Sequence, residues 1–202
     1  MENFQRVMEA TIAALPPQNE PPRLLLHSCC APCSSSVLEV LSRYFRVTVT
    51  YYNPNIFPQE EFEKRLAEQR RLLTEMPFEN PVSLVADPYD EAEFLEAVKG
   101  LEAEPEGGAR CAVCYRLRLE HTAKRAVAEG FDYFTTTLTV SPYKHADVLN
   151  KIGGELAEIY GVPYLFSDFK KKDGYKRSCT LAEMYGLYRQ DYCGCRFSLR
   201  ER

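Results

Sequence analysis

Eight cysteines dominate the chemistry available to this chain, and seven fall into three groups: Cys29-Cys30-Ala31-Pro32-Cys33, Cys111-Ala112-Val113-Cys114 and Cys193-Gly194-Cys195, with Cys179 left over. A Cys-x-x-Cys pair on one helical turn presents its sulfurs about 5–6 Å apart, the distance between helix neighbours. That spacing suits chelation of a metal or one face of an iron–sulfur cluster. Zinc is the simplest metal, but the pairs lie too far apart along the chain for a zinc ribbon or finger. A thioredoxin-like dithiol at Cys30 and Cys33 is the sharper alternative, because "CAPC" follows a strand and opens a helix, and a helix N-terminus lowers a thiol's pKa. The dithiol leaves Cys29, Cys111, Cys114, Cys193 and Cys195 without a task, whereas a cluster uses them.

A [4Fe–4S] cluster takes about four thiolates, so seven sulfurs leave a surplus. In extended or tightly turning backbone, adjacent side chains point apart, so Cys29 and Cys30 serve two centres more easily than one. We assign Cys29, Cys111, Cys114 and Cys193 to the cluster, and Cys30, Cys33 and Cys195 to a second, mononuclear ion. Within each close pair the two members are interchangeable at this stage. Three protein ligands leave a coordination position open, which is the arrangement of a catalytic metal.

The elements that must position these groups alternate. Residues 1–22 read as a short helix and a proline-rich lead-in, followed by one α/β domain over 23–202. Strands are expected at Arg23–His27, "FRVTVTYYNPN", "PVSLVAD", "FDYFTTTL" and "VPYLFSDF", with helices between them. Among these helices, one bears Val37, Leu38, Val40 and Leu41 at helical spacing, and another runs from Cys111 to Glu129 and stops at Gly130. Five strands separated by helices predict right-handed crossovers and a doubly wound, mostly parallel five-stranded sheet with helices on both faces. The C-terminal cysteine-bearing segment would then close the metal site. Ligands collect at the carboxyl ends of such strands. The polar tips there are "HSCC", "NPN" (Asn53, Asn55), "DP", "TTTLTVSP" (Thr136, Ser141) and "SDFKKK".

Composition sets the outer bounds. With 202 residues, 45% of them hydrophobic and 27% charged, the chain can bury a full core without staples. The net charge of −4 argues against broad adhesion to nucleic acid, leaving two local basic stretches, "FKKKDGYKR" and "CRFSLRER". The N-terminus carries no signal or transit pattern and no run is long enough to span a membrane. A cytoplasmic location is expected, where clustered thiols stay reduced and bind metals or do chemistry.

"HSCCAPCS", "YYNPNIFPQEEFEKR", "CAVCYRLRL", "TTTLTVSPYK" and "LYRQDYCGC" together resemble the cobalamin-independent epoxyqueuosine reductases of the QueH type, in the family's order from Leu24 to Cys195. The resemblance implies two-electron reduction of epoxyqueuosine to queuosine at the wobble position of tRNA, with a [4Fe–4S] cluster beside a mononuclear metal, iron or else zinc. A cluster passing electrons one at a time calls for an external one-electron donor. A modified base drawn out of the anticodon stack is held by stacking and edge hydrogen bonds, for which Tyr52, Asn53, Asn55, Thr136, Ser141, Arg189 and Tyr192 are the candidates. Proton donors are sought among Tyr52, Tyr192, His27 and Lys144. The alternation also resembles the Rossmann-like, HUP-like fold of the ATP-pyrophosphatases, but "HSCCAPCS" stands where a glycine-rich phosphate cradle would be.

Overall fold

A computed structural model of the protein describes residues 2–17 and 20–199. Four parallel strands form the sheet in the order β3-β2-β1-β4: β1 (Arg23–His27), β2 (Arg46–Tyr51), β3 (Val82–Ala86) and β4 (Tyr133–Thr136). Seven helices are described: α1 (Phe4–Ala13), α2 (Ala31–Leu41), α3 (Gln59–Glu75), α4 (Glu91–Ala97), α5 (Ala109–Ala128), α6 (Ala146–Tyr160) and α7 (Gly174–Met184).

β1 reads RLLLH because it is central and covered on both faces, so an uninterrupted apolar run is stable there. Period-2 alternation sends Leu24 and Leu26, with Val47 and Val49, toward Val37, Leu38 and Leu41 of α2. Leu25 and Phe134 face the other way, onto Leu119, Ala123 and Ala126 of α5 and onto Leu149 and Ile152 of α6. Each fully buried Leu or Phe removes apolar area worth about 1.5–3 kcal/mol from water. Since α2 and α5 lie on opposite faces and β1 has β2 on one side and β4 on the other, the strand order reverses between β1 and β4. The topological switch point, where such sheets bind their ligands, lies at the carboxyl ends of that pair, where His27 is in register with Thr136.

The expected fifth strand is not formed. Among the described residues only one bridge, Phe134 to Tyr164, extends the sheet beyond β4. Phe134 N–H donates to Pro163 O (3.0 Å) and Leu165 N–H to Phe134 O (2.9 Å). Pro163 has no N–H to give a ladder, and past Leu165 side chains capture the backbone instead. Thr135 Oγ1 donates to Leu165 O (2.8 Å), and the Asn150 amide exchanges two hydrogen bonds with Ser167, at 2.8 and 2.9 Å. The paired glycines of α6 are tolerated for a packing reason, since a Cβ at Gly153 would lie 2.4 Å from the Tyr164 ring.

Asp87, just beyond β3, locks α5 to the sheet edge through a two-point pair with Arg125, at 2.7 and 2.9 Å, while Arg125 also donates to Thr50 Oγ1. Burial alone would raise the Asp87 pKa, but His121 and Arg125 beside it hold it below the ordinary carboxylate range. A depressed folded-state pKa adds stability that is present above the unfolded pKa and lost as pH falls through the folded value. Asp87→Asn is therefore expected to destabilise the fold by about 2 kcal/mol at neutral pH. It should also flatten the loss of stability below about pH 4. Denaturant titrations at pH 7 and pH 3.5 check this; an equal deficit at both would show that the carboxylate charge is not what matters.

Candidate metal centre

The turn after β1 brings three sulfurs together. The Sγ atoms of Cys29, Cys30 and Cys33 all lie within 4.8 Å of one another, with Cys29 and Cys30 at 3.8 Å. Cys30 is the N-cap of α2 in extended backbone and Pro32 stands in the first turn, so Cys33 enters as the next residue on that helix face. Two serines fix the turn: Ser28 Oγ and Ser34 Oγ both donate to Gln69 Oε1 of α3, at 2.9 and 2.7 Å. Asn53 Nδ2 ties Ser28 O to the end of β2 (2.8 Å).

The other four grouped cysteines line one small cavity. Cys111 and Cys114 of α5, together with Cys193 and Cys195, bound a space of about 10 Å³ shared with Phe94, Tyr115 and Arg118. The C-terminal pair is pinned there by α3 and the segment before it. Arg65 Nη1 donates to Cys193 O (3.2 Å), and Phe57 N–H donates to Gly194 O (2.8 Å). Gly194 has φ +116, and a Cβ there would sit 2.9 Å from Arg65 Nη1, so the Cys-Gly-Cys spacing needs its glycine. Cys179, on α7, is outside both groups.

Charge at the site is lopsided. Arg118 is fully buried, its Nε donating to Cys114 O (3.3 Å) and its Nη1 lying 3.5 Å from Asn53 Oδ1. Lys144 Nζ lies 3.1 Å from Cys193 Sγ, and burial, which would strip its proton, is outweighed by Cys193 and Tyr115. Hydrogen bonds from Cys30 and then Cys33 pull the Cys29 thiol well below its ordinary pKa, with Arg118 and Lys144 adding to the effect. The same contact with Cys29 pushes Cys30 up to about 12, and burial pushes Cys114 up to about 11. A dithiol enzyme needs an accessible, low-pKa thiol at the helix start. Cys30 is 1% exposed and shifted the other way, which disfavours that alternative.

The remaining sequence candidates separate into anchored and open residues. His27 is wholly buried, with Nδ1 2.9 Å from Thr136 Oγ1 and Nε2 3.3 Å from Tyr52 O. Burial, reinforced by Arg118, lowers its pKa to about 3, so the ring is neutral. Thr136 also accepts from Leu138 N–H, and Asn53 is occupied as described, so both brace the site. Tyr52 is buried, stacked on His121 at 3.7 Å between centroids. The Tyr192 hydroxyl donates to Phe57 O (2.5 Å) and its ring faces Arg65. Asn55 is 1% exposed with neither side-chain polar atom partnered, Ser141 is half-buried, and Arg189 is exposed. In the first basic stretch Lys170 pairs with Asp168, Lys172 with Glu9 and Arg177 with Glu39; in the second Arg196 pairs with Glu91, and residues 200–202 lie outside the described residues.

Sequence reading overlooked Arg118, Gln69, Arg65 and Gln190, whose Nε2 lies 3.2 Å from Cys30 Sγ. A signal existed for one of them. Arg118 falls four residues after Cys114, and Cys114, Tyr115, Arg118, Leu119, Thr122 and Ala123 form one buried stripe of α5.

No helix among the described residues is long and apolar enough to cross a membrane. In architecture the chain is similar to the U34-tRNA thiolase NcsA from Methanococcus maripaludis, solved with its [4Fe–4S] cluster: TM-score 0.52, 12% identity, covering 98% of this chain and 67% of that one. At that identity the likeness is one of fold. In sequence it is 40% identical over 200 residues to the epoxyqueuosine reductase QueH of Streptococcus pyogenes, covering 98% of this chain and 78% of the relative. Against the QueH of Thermotoga maritima it is 36% identical over 185 residues, covering 89% and 91%. The family model for epoxyqueuosine reductase QueH matches residues 24–201, which take in all of the sheet but Arg23 and all eight cysteines, and the chain therefore belongs to that family.

Proposed function

We propose that this protein is an iron–sulfur enzyme that reduces epoxyqueuosine in tRNA to queuosine, taking single electrons from an external donor. The reaction converts the epoxide to an alkene with two electrons and two protons, and the oxygen leaves as water. The observation that carries the reading is two neighbouring thiol groups drawn from three remote segments: Cys29, Cys30 and Cys33 within 4.8 Å of one another, and Cys111, Cys114, Cys193 and Cys195 around one cavity, with Arg118 between Cys29 and the second group. These residues fit the groups the family implies: the donor set is all thiol, it exceeds what one cluster needs, and buried cations stand beside it. When bound, a [4Fe–4S] cluster supplies electrons singly and a mononuclear iron or zinc supplies Lewis acidity.

Proximity favours Cys29, Cys30 and Cys33 as the ligands of the mononuclear ion, with Cys111, Cys114, Cys193 and Cys195 on the cluster. The partition drawn from the adjacent pairs exchanges Cys29 for Cys195. Cys195→Ala separates the two, costing the cluster in the first and the lone ion in the second. Lys144 holds its proton at Nζ beside Cys193 and so places a second fixed positive charge inside the site. His27, neutral and held at both ring nitrogens, orients the β1 and β4 tips. Asn55, with two unpartnered polar atoms, is left for substrate, and so is the exposed Arg189, whose guanidinium lies against Cys179 and Tyr175.

Anaerobically purified protein should contain iron and sulfide, absorb broadly near 400 nm, and reduce epoxyqueuosine-tRNA when given a one-electron reductant. Cys33→Ala should keep the sulfide and that absorbance, lose the additional ion, and lose at least about 100-fold in rate, as befits a ligand when outer-shell losses already cost 10–100-fold. Native-rate reduction by Cys33→Ala would end the role of the second ion, and a colourless preparation free of sulfide would end the whole reading.

A further inference from the structure

Arg118 is a buried cation without a carboxylate. It is 1% exposed, it forms no ion pair among the described residues, and its Nη2 is buried with no hydrogen-bond partner. The two other deeply buried arginines are neutralised or capped differently. Arg65 pairs with Glu61 at 2.6 Å, and the Arg110 guanidinium is wrapped by the carbonyls of Leu101, Glu102 and Glu104. A guanidinium stays protonated in any protein environment, and an uncompensated buried charge costs several kcal/mol. Something at the site must therefore carry opposite charge. The groups facing Arg118 most closely are Cys114, Cys193, Cys29 and the ring of Tyr115, with Lys144 adding a like charge; Glu106, on the rim of the same cavity, is exposed and forms no ion pair with it.

Thiolates bound to a cluster meet that requirement, and do so whichever of Cys29 and Cys195 completes the ligand set, since Cys114 and Cys193 belong to both partitions. A cluster gains one negative charge when it accepts an electron, and its potential follows net charge, burial and hydrogen bonds to its sulfurs. A fixed positive charge in a low-dielectric wall, with a free N–H donor, favours the reduced form over the oxidised one. Lys144 is a second cation at the site, but its ammonium already contacts Cys193.

We propose that Arg118 is the buried countercharge of the cluster, a positioning residue that raises its reduction potential so that a one-electron donor can load it. The step involves one electron moving from the donor, which is oxidised, to the cluster, which is reduced; no bond to Arg118 forms or breaks. This inference rests on the iron–sulfur reading above.

The test is a redox titration of anaerobically prepared, full-length protein, followed by visible absorbance and electron paramagnetic resonance, for the native chain, Arg118→Gln and Arg118→Lys. Removing the charge in Arg118→Gln should disfavour reduction at least tenfold, which is about 59 mV toward lower potential for a one-electron couple. Arg118→Lys should recover most of it. Loss of iron and sulfide from the glutamine variant with retention in the lysine variant would equally support the assignment, as charge would then be what holds the cluster in place. An unchanged potential in Arg118→Gln would overturn it, and so would loss of iron from both variants, which would make shape the requirement. Failure of the underlying reading looks different, because the native protein itself would then lack iron and sulfide.

Discussion

Cys114→Ser is expected to abolish epoxyqueuosine reduction, with a fall of at least about 100-fold, and to strip the protein of sulfide while leaving its helical content intact. The size follows from position: Cys114 is 6% exposed, it lies on the buried stripe of α5, and both ligand partitions place it on the cluster. Outer-shell partners of a metal ligand already cost 10–100-fold when removed, so a ligand sets the lower bound. The fold should survive because Leu119, Ala123 and Ala126 anchor α5 independently of the sulfur. Cys179→Ser is the matched control. Cys179 lies on α7 away from both groups, and its loss should leave iron and sulfide unchanged. Circular dichroism, iron and sulfide analysis and a single-turnover assay on the two variants decide the matter. If Cys114→Ser kept its sulfide and rate, the α5 pair would not hold the cluster.

Phe134→Ala should be the most damaging substitution away from the cysteines. Phe134 is wholly buried at the centre of the α5–α6 face, packs edge-on against Tyr164 at 5.0 Å, and carries the only backbone bridge beyond β4 among the described residues. Truncating a buried Phe leaves both lost transfer energy and a cavity, about 3–5 kcal/mol, against a total stability of about 5–15 kcal/mol for a domain. The midpoint of thermal unfolding should fall by roughly 6–20 °C. Iron content should decline with it on warming, because the β4 tip that carries Thr136 braces His27 against the cysteine turn. A shift under about 2 °C, the low end of what 1 kcal/mol produces at this size, would mean that the sheet closes without this residue.

Much of this architecture was legible in order along the chain. The apolar run Leu24–Leu26, the β-branched Val47–Val49 stretch and the stripes of α3, α5 and α6 are local patterns whose periods follow from strand and helix geometry. The cysteine turn between β1 and α2 was readable for the same reason, since Pro32 and the serines after it mark a helix start. The fifth strand failed because its competitor was remote. Asn150 on α6 and Thr135 on β4 bind the backbone of Leu165 and Ser167 that a ladder would have used, and nothing within "VPYLFSDF" announces them.

Taken alone, the sequence determined the α/β alternation, the three sulfur-bearing segments and their placement at strand ends or on a helix turn, because each depends on residues within a few positions of one another. The tertiary structure decided which sulfurs meet. It grouped Cys29, Cys30 and Cys33 within 4.8 Å, and it set Cys111, Cys114, Cys193 and Cys195 around one cavity. It also enclosed Arg118 among them without a carboxylate and paired most of the basic stretch Lys170–Arg177 with acids elsewhere. Those outcomes depend on the reversal of strand order between β1 and β4 and on contacts spanning from tens to more than a hundred residues. The free energy of burying or pairing a charge is set by what surrounds it in space, which neighbours along the chain do not specify.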